Sequence, residues 1–363
     1  MNNSQKTYEL GQSIWYDNIQ RKLLENGEMA RMIADGEIYG VTSNPSIFNN
    51  AIAKSSDYDA DLLPLLAEGK SPMQVFEALA VKDIQAACDL FADLYQKTNG
   101  GDGFVSLEVD PDLAHDTDGT VSEAKRLWKL VDRPNLMVKI PATLAGIPAI
   151  EQAIAAGINV NVTLIFSQER YLKVMAAYLA GLEQRIAAGQ PVDRIASVAS
   201  FFVSRMDSKV DAMLEEIGTD AAKALMGKSA IANTKLAYQR YLTTFGSERF
   251  EAIKAAGGRV QRPLWASTST KNPAYPDTLY VDTLIGADTV NTIPPKTLMA
   301  FLDHGTVADT LVKMIQAQEE VLENLEALGI SVKTVTDELE AEGVASFSKA
   351  FADLLAVIES RKE

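Results

Sequence analysis

The amino-acid sequence predicts an α/β fold, a (β/α)8 TIM barrel with additional helices that include a C-terminal helical tail. Two observations predict it: about eight short apolar runs typical of strands, and longer segments of helical periodicity between them. A third is the length of 363 residues, which exceeds the roughly 250 residues of a bare barrel. Because no linker-like segment and no internal repeat is present, we expect one domain over residues 1–363.

The predicted strands are short runs of apolar and β-branched residues that alternate with helical segments. They are Ser13–Tyr16, Ile38–Thr42, Phe104–Val109, Leu136–Ile140, Ile158–Leu164, Ile195–Phe201, Pro263–Ala266 and Asp288–Thr292. Two helical stretches, Asp207–Gly257 and Thr306–Glu363, are longer than crossovers between strands need. The amphipathic pattern of the second consists of Leu339, Val344, Phe347, Phe351, Leu354 and Ile358. We expect both stretches to pack on the exterior of the barrel.

The composition excludes several classes of protein. There are 49 acidic against 34 basic residues, which disfavours a surface for nucleic acid. The sequence lacks an apolar run of about 18 residues that would predict a membrane span, and its polar N-terminus does not resemble a signal peptide. The single cysteine, Cys88, excludes an intrachain disulfide, and we interpret it as a small buried apolar residue. We therefore expect a cytoplasmic protein with neither nucleic-acid nor membrane partners.

Polar residues interrupt strands that should be almost wholly apolar in a barrel. They are Ser106 with Glu108, Asn161 with Thr163, Thr42 with Asn44, and Lys139 near the end of its strand. Residues two apart on a strand point to one face, and these lie towards the carboxyl ends, where barrel active sites form. One such strand is typical of a solvated face, but four together indicate a site, because burying unpaired polar groups costs several kcal/mol.

The lysine at the centre of this group predicts the chemistry. A lysine in a dry pocket near a cation can lose its proton and attack a carbonyl carbon. Such catalysis also needs groups that accept and donate protons. Glu108 and Thr163 can supply these through a water molecule, and Asp17, at the end of the first strand, can act on another face.

The sequence contains no convincing motif for a metal or a cofactor. Residues 114–119 resemble a calcium loop, but Ala114 and Lys125 would then stand at ligand positions that require oxygen donors. The two histidines, His115 and His304, are too few for a His-rich metal site. We therefore expect neither a metal nor a cofactor.

Five stretches of the chain are similar to the transaldolase family. They are Gly40–Ser46 (GVTSNPS), Val105–Asp110 (VSLEVD), Val138–Thr143 (VKIPAT), Asn159–Ser167 (NVNVTLIFS) and Ser200–Asp207 (SFFVSRMD). They occur in the family's order over nearly the whole barrel. The opening Gly11–Asp17 (GQSIWYD) resembles the longer-chain branch of that family.

The resemblance implies an activity: reversible transfer of a dihydroxyacetone unit between sugar phosphates in the non-oxidative pentose phosphate pathway. The donor would be sedoheptulose 7-phosphate or fructose 6-phosphate, and the acceptor glyceraldehyde 3-phosphate or erythrose 4-phosphate. Lys139 matches the Schiff-base lysine, and Asp17 matches the acid/base for carbon–carbon cleavage. Glu108 and Thr163 match the pair that holds the catalytic water.

The resemblance also implies which residues bind substrate. The residues that match the family's pocket around the dihydroxyacetone portion are Thr42, Asn44, Ser106, Asn161 and Ser200. Phe202, in the same motif as Ser200, is a further predicted substrate-binding residue. Arg205 matches the arginine that binds the phosphate. After the seventh predicted strand the family commonly has a serine and, two residues on, an arginine, whereas this chain has Ser269 and Lys271. Lysine keeps the charge but loses the two-pronged donor of arginine, and Lys271 can alternatively be a solvated loop lysine.

Two alternatives have their own sequence features. A fructose-6-phosphate aldolase-like lyase resembles transaldolase but carries glutamine and tyrosine where this chain has Glu108 and Phe202. A catalytically silent barrel would have lost the lysine or an acid/base group, and none is lost. We expect sugar phosphates as the small-molecule partners, and a homodimer is one of the oligomeric states that the sequence leaves open.

Overall fold

The computed structural model describes residues 1–362, which form seven parallel strands and seventeen α-helices. The strands are β1 (Gln12–Tyr16), β2 (Val105–Glu108), β3 (Leu136–Pro141), β4 (Val160–Ile165), β5 (Ser197–Phe202), β6 (Arg262–Ala266) and β7 (Thr289–Ile293). Their order in the sheet is β1-β7-β6-β5-β4-β3-β2, with every pairing parallel. Seven of the eight predicted strands are thus present, with ends that differ by one or two residues.

The eighth strand position of the barrel is occupied by a short segment around Val41, which closes the sheet between β1 and β2. Val41 forms parallel bridges to Tyr16 and to Val105, and its N–H donates to the carbonyl of Phe104 at 2.9 Å. The prediction of a regular strand over Ile38–Thr42 is therefore wrong in extent, because only one residue pairs on both sides. The segment is short because the next helix begins at Pro45, only four residues after Val41. The predicted TIM-barrel fold class is confirmed.

Helices fill the connections and account for the surplus length. They are α1 (Asn3–Glu9), α2 (Arg21–Glu25), α3 (Glu28–Ala34), α4 (Pro45–Ala53), α5 (Asp59–Ala67), α6 (Pro72–Lys97), α7 (Thr117–Val131), α8 (Gly146–Ala155), α9 (Gln168–Ala187), α10 (Ser204–Ile217), α11 (Asp220–Lys223), α12 (Ser229–Phe245), α13 (Glu248–Ala255), α14 (Leu279–Asp282), α15 (Pro295–His304), α16 (Ile315–Ala327) and α17 (Val332–Ser360). A short 3-10 helix spans Pro111–Leu113. No helix within residues 1–362 is both long and apolar enough to cross a membrane.

The last helix lies elsewhere than the sequence pattern predicts. We expected the tail to pack on the barrel exterior, but α17 packs against α4, α6, α10, β4 and the 3-10 helix. Its residue Gly343 approaches Leu164 of β4 so closely that an added Cβ would lie 3.0 Å from the Leu164 side chain. The helix therefore covers the carboxyl end of the barrel, where it positions a side chain of the site described below.

Candidate active site

A cavity opens at the carboxyl ends of the strands and, together with the solvent at its mouth, spans about 820 Å³. Ten of the thirteen residues predicted for the site line it: Asp17, Thr42, Asn44, Lys139, Thr163, Ser200, Phe202, Arg205, Ser269 and Lys271. The other three, Glu108, Ser106 and Asn161, lie at its edge or beneath its floor. Residues from seven separate segments of the chain thus converge on one space, as parallel strands of a barrel require.

Lys139 lies on β3 and is only 5% exposed. Its Nζ donates a hydrogen bond to the backbone carbonyl of Ser43 at 2.9 Å and lies 2.7 Å from Oε1 of Glu108. The two residues stand opposite each other in the β2–β3 ladder, so the contact follows from the strand register. The lysine is held at the edge of the cavity with its amine facing an acceptor on each side.

Glu108 and Thr163 are incompletely paired. Oε1 of Glu108 contacts only the Lys139 amine, and Oε2 of Glu108 and the hydroxyl of Thr163 have no hydrogen-bond partner among the described residues. Burial raises the pKa of the Glu108 carboxyl, and the charge of Lys139 opposes that shift. Buried polar atoms are normally satisfied, so these oxygens are free to bind a water molecule or a substrate hydroxyl.

The backbone beside Thr163 is irregular. Leu164 has φ of 60°, and the β4–β5 register shifts between Val162 and Ile165. Positive φ is uncommon for a residue other than glycine, and such outliers are often found at functional sites. Since a bulge reorients the side chains beside it, this irregularity helps to set the direction of the Thr163 side chain.

Asp17 follows β1 and accepts a hydrogen bond from the hydroxyl of Thr42 at 2.7 Å. The same hydroxyl lies 2.6 Å from that of Thr292 on β7. Burial raises the pKa of the Asp17 carboxyl, whereas the Thr42 hydrogen bond and the charges of Lys139 and Lys271 lower it. A buried carboxyl with a raised pKa that shares a cavity with a lysine amine is a candidate for proton transfer.

A chain of hydrogen bonds forms the floor of the cavity. Ser200 Oγ donates to Asn161 Oδ1 at 2.7 Å, and Asn161 Nδ2 donates to Ser106 Oγ at 3.0 Å. Ser106 and Asn161 are fully buried, while Ser200 reaches the cavity surface. The structure therefore positions Ser106 and Asn161 to orient Ser200.

Asn44 has a role in the fold as well as a place in the cavity. It is the N-cap of α4, and its side-chain oxygen accepts a hydrogen bond from the N–H of Ile47 at 2.9 Å. Pro45 follows at the first position of the helix, where a missing N–H costs nothing. The NH2 group of Asn44 and the second lone pair of its side-chain oxygen remain for a ligand.

Two cations lie at the far side of the cavity. Arg205 is in the first turn of α10, with Cζ 5.5 Å from the centroid of the Phe202 ring. Lys271 follows β6, and its Nζ lies 2.5 Å from Ser269 Oγ. Burial lowers the pKa of the Lys271 amine, and the nearby charge of Arg205 lowers it further. Within residues 1–362 neither forms a salt bridge, so the pair attracts an anion.

Among the residues of the site that were absent from the sequence prediction, three contact or border its predicted catalytic groups. Phe347 of α17 lines the cavity, with its ring centroid 6.0 Å from Lys139 Nζ. The Thr292 hydroxyl forms a hydrogen bond with the Thr42 hydroxyl, and the backbone carbonyl of Ser43 accepts a hydrogen bond from the Lys139 amine. The run Thr42-Ser43-Asn44 was an available signal for Ser43, whereas Phe347 read only as an apolar position of an amphipathic helix.

Comparison with known proteins agrees with this geometry. The family model described as transaldolase/fructose-6-phosphate aldolase matches residues 14–358. A transaldolase of Mycolicibacterium smegmatis is 51% identical over 346 residues, covering 95% of this chain and 93% of its own. One of Saccharopolyspora erythraea is 50% identical, covering 97% and 96%, and one of Trichodesmium erythraeum is 47% identical, covering 97% and 95%. This chain belongs to the transaldolase/fructose-6-phosphate aldolase family.

Proposed function

We propose that this protein is a transaldolase, an enzyme that transfers a dihydroxyacetone unit from a ketose phosphate to an aldose phosphate through a Schiff base on Lys139. One observation carries the proposal: a buried lysine paired with Glu108 shares a single cavity with Asp17 and with two cations that lack a carboxylate partner. The lysine and the two carboxyl groups suit carbonyl chemistry, and the two cations suit binding of a phosphate.

The first half of the reaction uses the buried end of the cavity. The neutral amine of Lys139 attacks the ketose carbonyl carbon, and loss of water from the resulting carbinolamine gives the imine. Glu108 and Thr163 hold the water that exchanges protons in these steps, which is consistent with their unpaired oxygens. Asp17 then takes the proton of the substrate hydroxyl as the carbon–carbon bond breaks, and its raised pKa suits that role.

The second half reverses these steps on another aldose phosphate. The dihydroxyacetone unit stays on Lys139 as an enamine while the first aldose phosphate leaves. The acceptor enters with its phosphate between Arg205 and Lys271 and its aldehyde carbon towards the enamine. Asp17 returns the proton to the new hydroxyl, and water releases the product ketose from the lysine.

A lyase that releases free dihydroxyacetone is the main alternative. Its sequence signature is glutamine and tyrosine at the positions of Glu108 and Phe202, and this chain has neither. Glu108 contacts the lysine amine, and Phe202 carries the Arg205 guanidinium near its ring. These contacts support transfer over release.

The test is an assay of fructose 6-phosphate with erythrose 4-phosphate. We expect sedoheptulose 7-phosphate and glyceraldehyde 3-phosphate in equal amounts, with little free dihydroxyacetone. Release of dihydroxyacetone in amounts equal to the fructose 6-phosphate consumed would support the lyase instead. Borohydride added with fructose 6-phosphate should label the peptide that contains Lys139, and a label elsewhere would contradict the proposed nucleophile.

We include in this proposal one domain over the whole chain and a cytoplasmic setting. The packing of α17 from the C-terminus against α4 and α6 near the start of the chain supports a single domain. A homodimeric state stays a prediction that gel filtration with light scattering would test.

A further inference from the structure

Phe347 is the one residue lining the cavity that comes from the C-terminal helix, since the others lie on the strands and the segments that follow them. Its side chain is nearly buried, at 9% exposure. The same ring borders a second, smaller space of about 280 Å³, whose wall also includes Glu108, Lys139 and Thr163. Phe347 therefore lies between the open cavity and the incompletely paired oxygens beside the lysine.

The helix that carries Phe347 is fastened on both sides of it. Before Phe347, Glu340 forms a salt bridge with Arg170 at 3.2 Å, and Lys209 bridges Glu338 and Glu342 at 2.7 and 2.6 Å. After it, Phe351 packs edge-on against Phe76, with ring centroids 5.2 Å apart. The ring of Phe347 is thus held above the lysine by contacts of α17 with α6, α9 and α10.

We propose that Phe347 shields the dihydroxyacetone unit on Lys139 from water and so directs that unit to the acceptor aldose phosphate. This inference rests on the proposed transaldolase function and names a residue that sets the ratio of transfer to hydrolysis. An apolar ring beside the amine excludes water from that side of the intermediate. The unpaired oxygens of Glu108 and Thr163 border the same small space as the ring and are the binding site for the water that the imine steps use.

The two fates of the intermediate differ in what the enamine carbon receives, since one water later releases the product from Lys139 in both. In transfer, the enamine carbon forms a bond to the acceptor's aldehyde carbon, which leaves an iminium ion on Lys139. One water then adds to the iminium carbon and releases the product ketose and the free amine. In hydrolysis, the enamine carbon takes a proton to give the iminium ion. Water then adds its oxygen to the iminium carbon and loses a proton. The carbinolamine expels the Lys139 amine, which yields free dihydroxyacetone with one water consumed and no change of oxidation state.

The experiment measures both products in variants of two phenylalanines of α17. Phe347→Ala and Phe347→Leu remove the ring above the lysine, and Phe351→Leu is the matched control, because it removes a ring one turn further along that packs on Phe76. Each protein receives fructose 6-phosphate with erythrose 4-phosphate, and free dihydroxyacetone and sedoheptulose 7-phosphate are quantified.

We expect the ratio of released to transferred dihydroxyacetone to rise about tenfold in Phe347→Ala, equivalent to about 1.4 kcal/mol between the two barriers. Phe347→Leu should raise it less, and Phe351→Leu should leave it unchanged. Thermal melting identifies any variant that fails to fold, and if Phe347→Ala does so, Phe347→Leu decides.

Three results would overturn the inference. The first is an unchanged ratio in a folded Phe347 variant that borohydride still traps on Lys139. The second is a parallel loss of both products, which would mean that the ring is structural. The third is an equal rise in Phe351→Leu. If instead the unsubstituted protein forms no adduct on Lys139, the proposed function fails and not the role of Phe347 alone.

Discussion

Each end of the barrel contains a buried ion pair, and the two pairs differ in how completely they are hydrogen-bonded. At the amino end, Asp102 accepts hydrogen bonds from Ser13 Oγ at 2.6 Å, Trp15 Nε1 at 2.9 Å and Arg262 Nη1 at 3.3 Å. Arg262 also donates to the carbonyl of Thr289 at 2.6 Å. At the carboxyl end, Glu108 Oε1 lies 2.7 Å from Lys139 Nζ, and no other group among the described residues donates to either of its oxygens.

The difference teaches that buried charge alone does not identify a site. Both pairs are largely buried, with the Arg262 side chain 18% exposed, but the pair at the amino end is satisfied by donors from several segments of the chain, as a structural pair must be. The pair at the carboxyl end leaves acceptors for something that is not protein, and burial raises the pKa of its carboxyl. We therefore expect substitutions at the amino end to change stability and those at the carboxyl end to change catalysis.

Lys139→Ala should have the largest effect, with loss of both transfer and borohydride trapping, because no other amine occupies the centre of the cavity. The matched control is Lys235→Ala. Lys235 is also a buried lysine, and it donates to the carbonyls of Thr310 and Lys313 at 2.8 and 3.2 Å, away from the site. That variant should melt at a lower temperature but keep its activity. Measurable turnover in Lys139→Ala would remove the lysine from the mechanism.

Asp17→Asn should lower turnover by about 10²–10⁴-fold, the usual contribution of a general acid or base. Borohydride should still trap the adduct from the ketose, because Asp17 acts after imine formation. A variant that cannot be trapped would mean that Asp17 is needed earlier.

The Asp17 carboxyl should make the stability of the unsubstituted protein depend on pH, and Asp17→Asn tests the direction of that dependence. The pKa of Asp17 is raised in the folded protein, so the folded state holds more protons than the unfolded state between the two pKa values. Stability of the unsubstituted protein therefore falls as pH rises through that window. Asp17→Asn removes this loss and should melt no lower than the unsubstituted protein at pH 7, as measured by calorimetry at several pH values. A clearly lower melting temperature would contradict the assignment.

Asp102→Asn should reverse that pattern at the other end of the barrel. It leaves the Arg262 charge without its partner, and breaking a buried pair costs about 3 kcal/mol or more of unfolding free energy. The turnover of the folded enzyme should hardly change. Urea unfolding followed by steady-state kinetics measures both, and a large fall in kcat without loss of stability would mean that the two ends are coupled.

Arg205→Ala should raise the Michaelis constant for fructose 6-phosphate by about 100-fold, the upper end for a charge-assisted hydrogen bond of about 1.5–3 kcal/mol. Lys271→Ala should do less, and Lys271→Arg should be tolerated, because lysine offers a point charge where arginine offers a two-pronged donor. An unphosphorylated ketose is the control substrate, and its Michaelis constant should not change. An equal penalty for both substrates would make Arg205 structural.

Much of the fold and of the candidate site could be predicted from the sequence because both depend on local pattern. Alternation of apolar runs with helical periodicity predicts the barrel, and polar pairs two apart on a strand predict a shared face. Since parallel strands end at one edge, Asp17, Lys139, Thr163 and Arg205 were expected together. They line one cavity in the structure.

Only the tertiary structure decided the remaining features. The contact of Glu108 with Lys139 follows from the register of β2 on β3, and the full burial of Asn161 beneath Ser200 follows from packing across strands. The position of Phe347 depends on where α17 lies. An amphipathic pattern predicts that one face of a helix is buried, but it does not predict which element that face packs against. Sequence periodicity is local information, whereas register and helix placement are set by contacts between residues far apart in the chain.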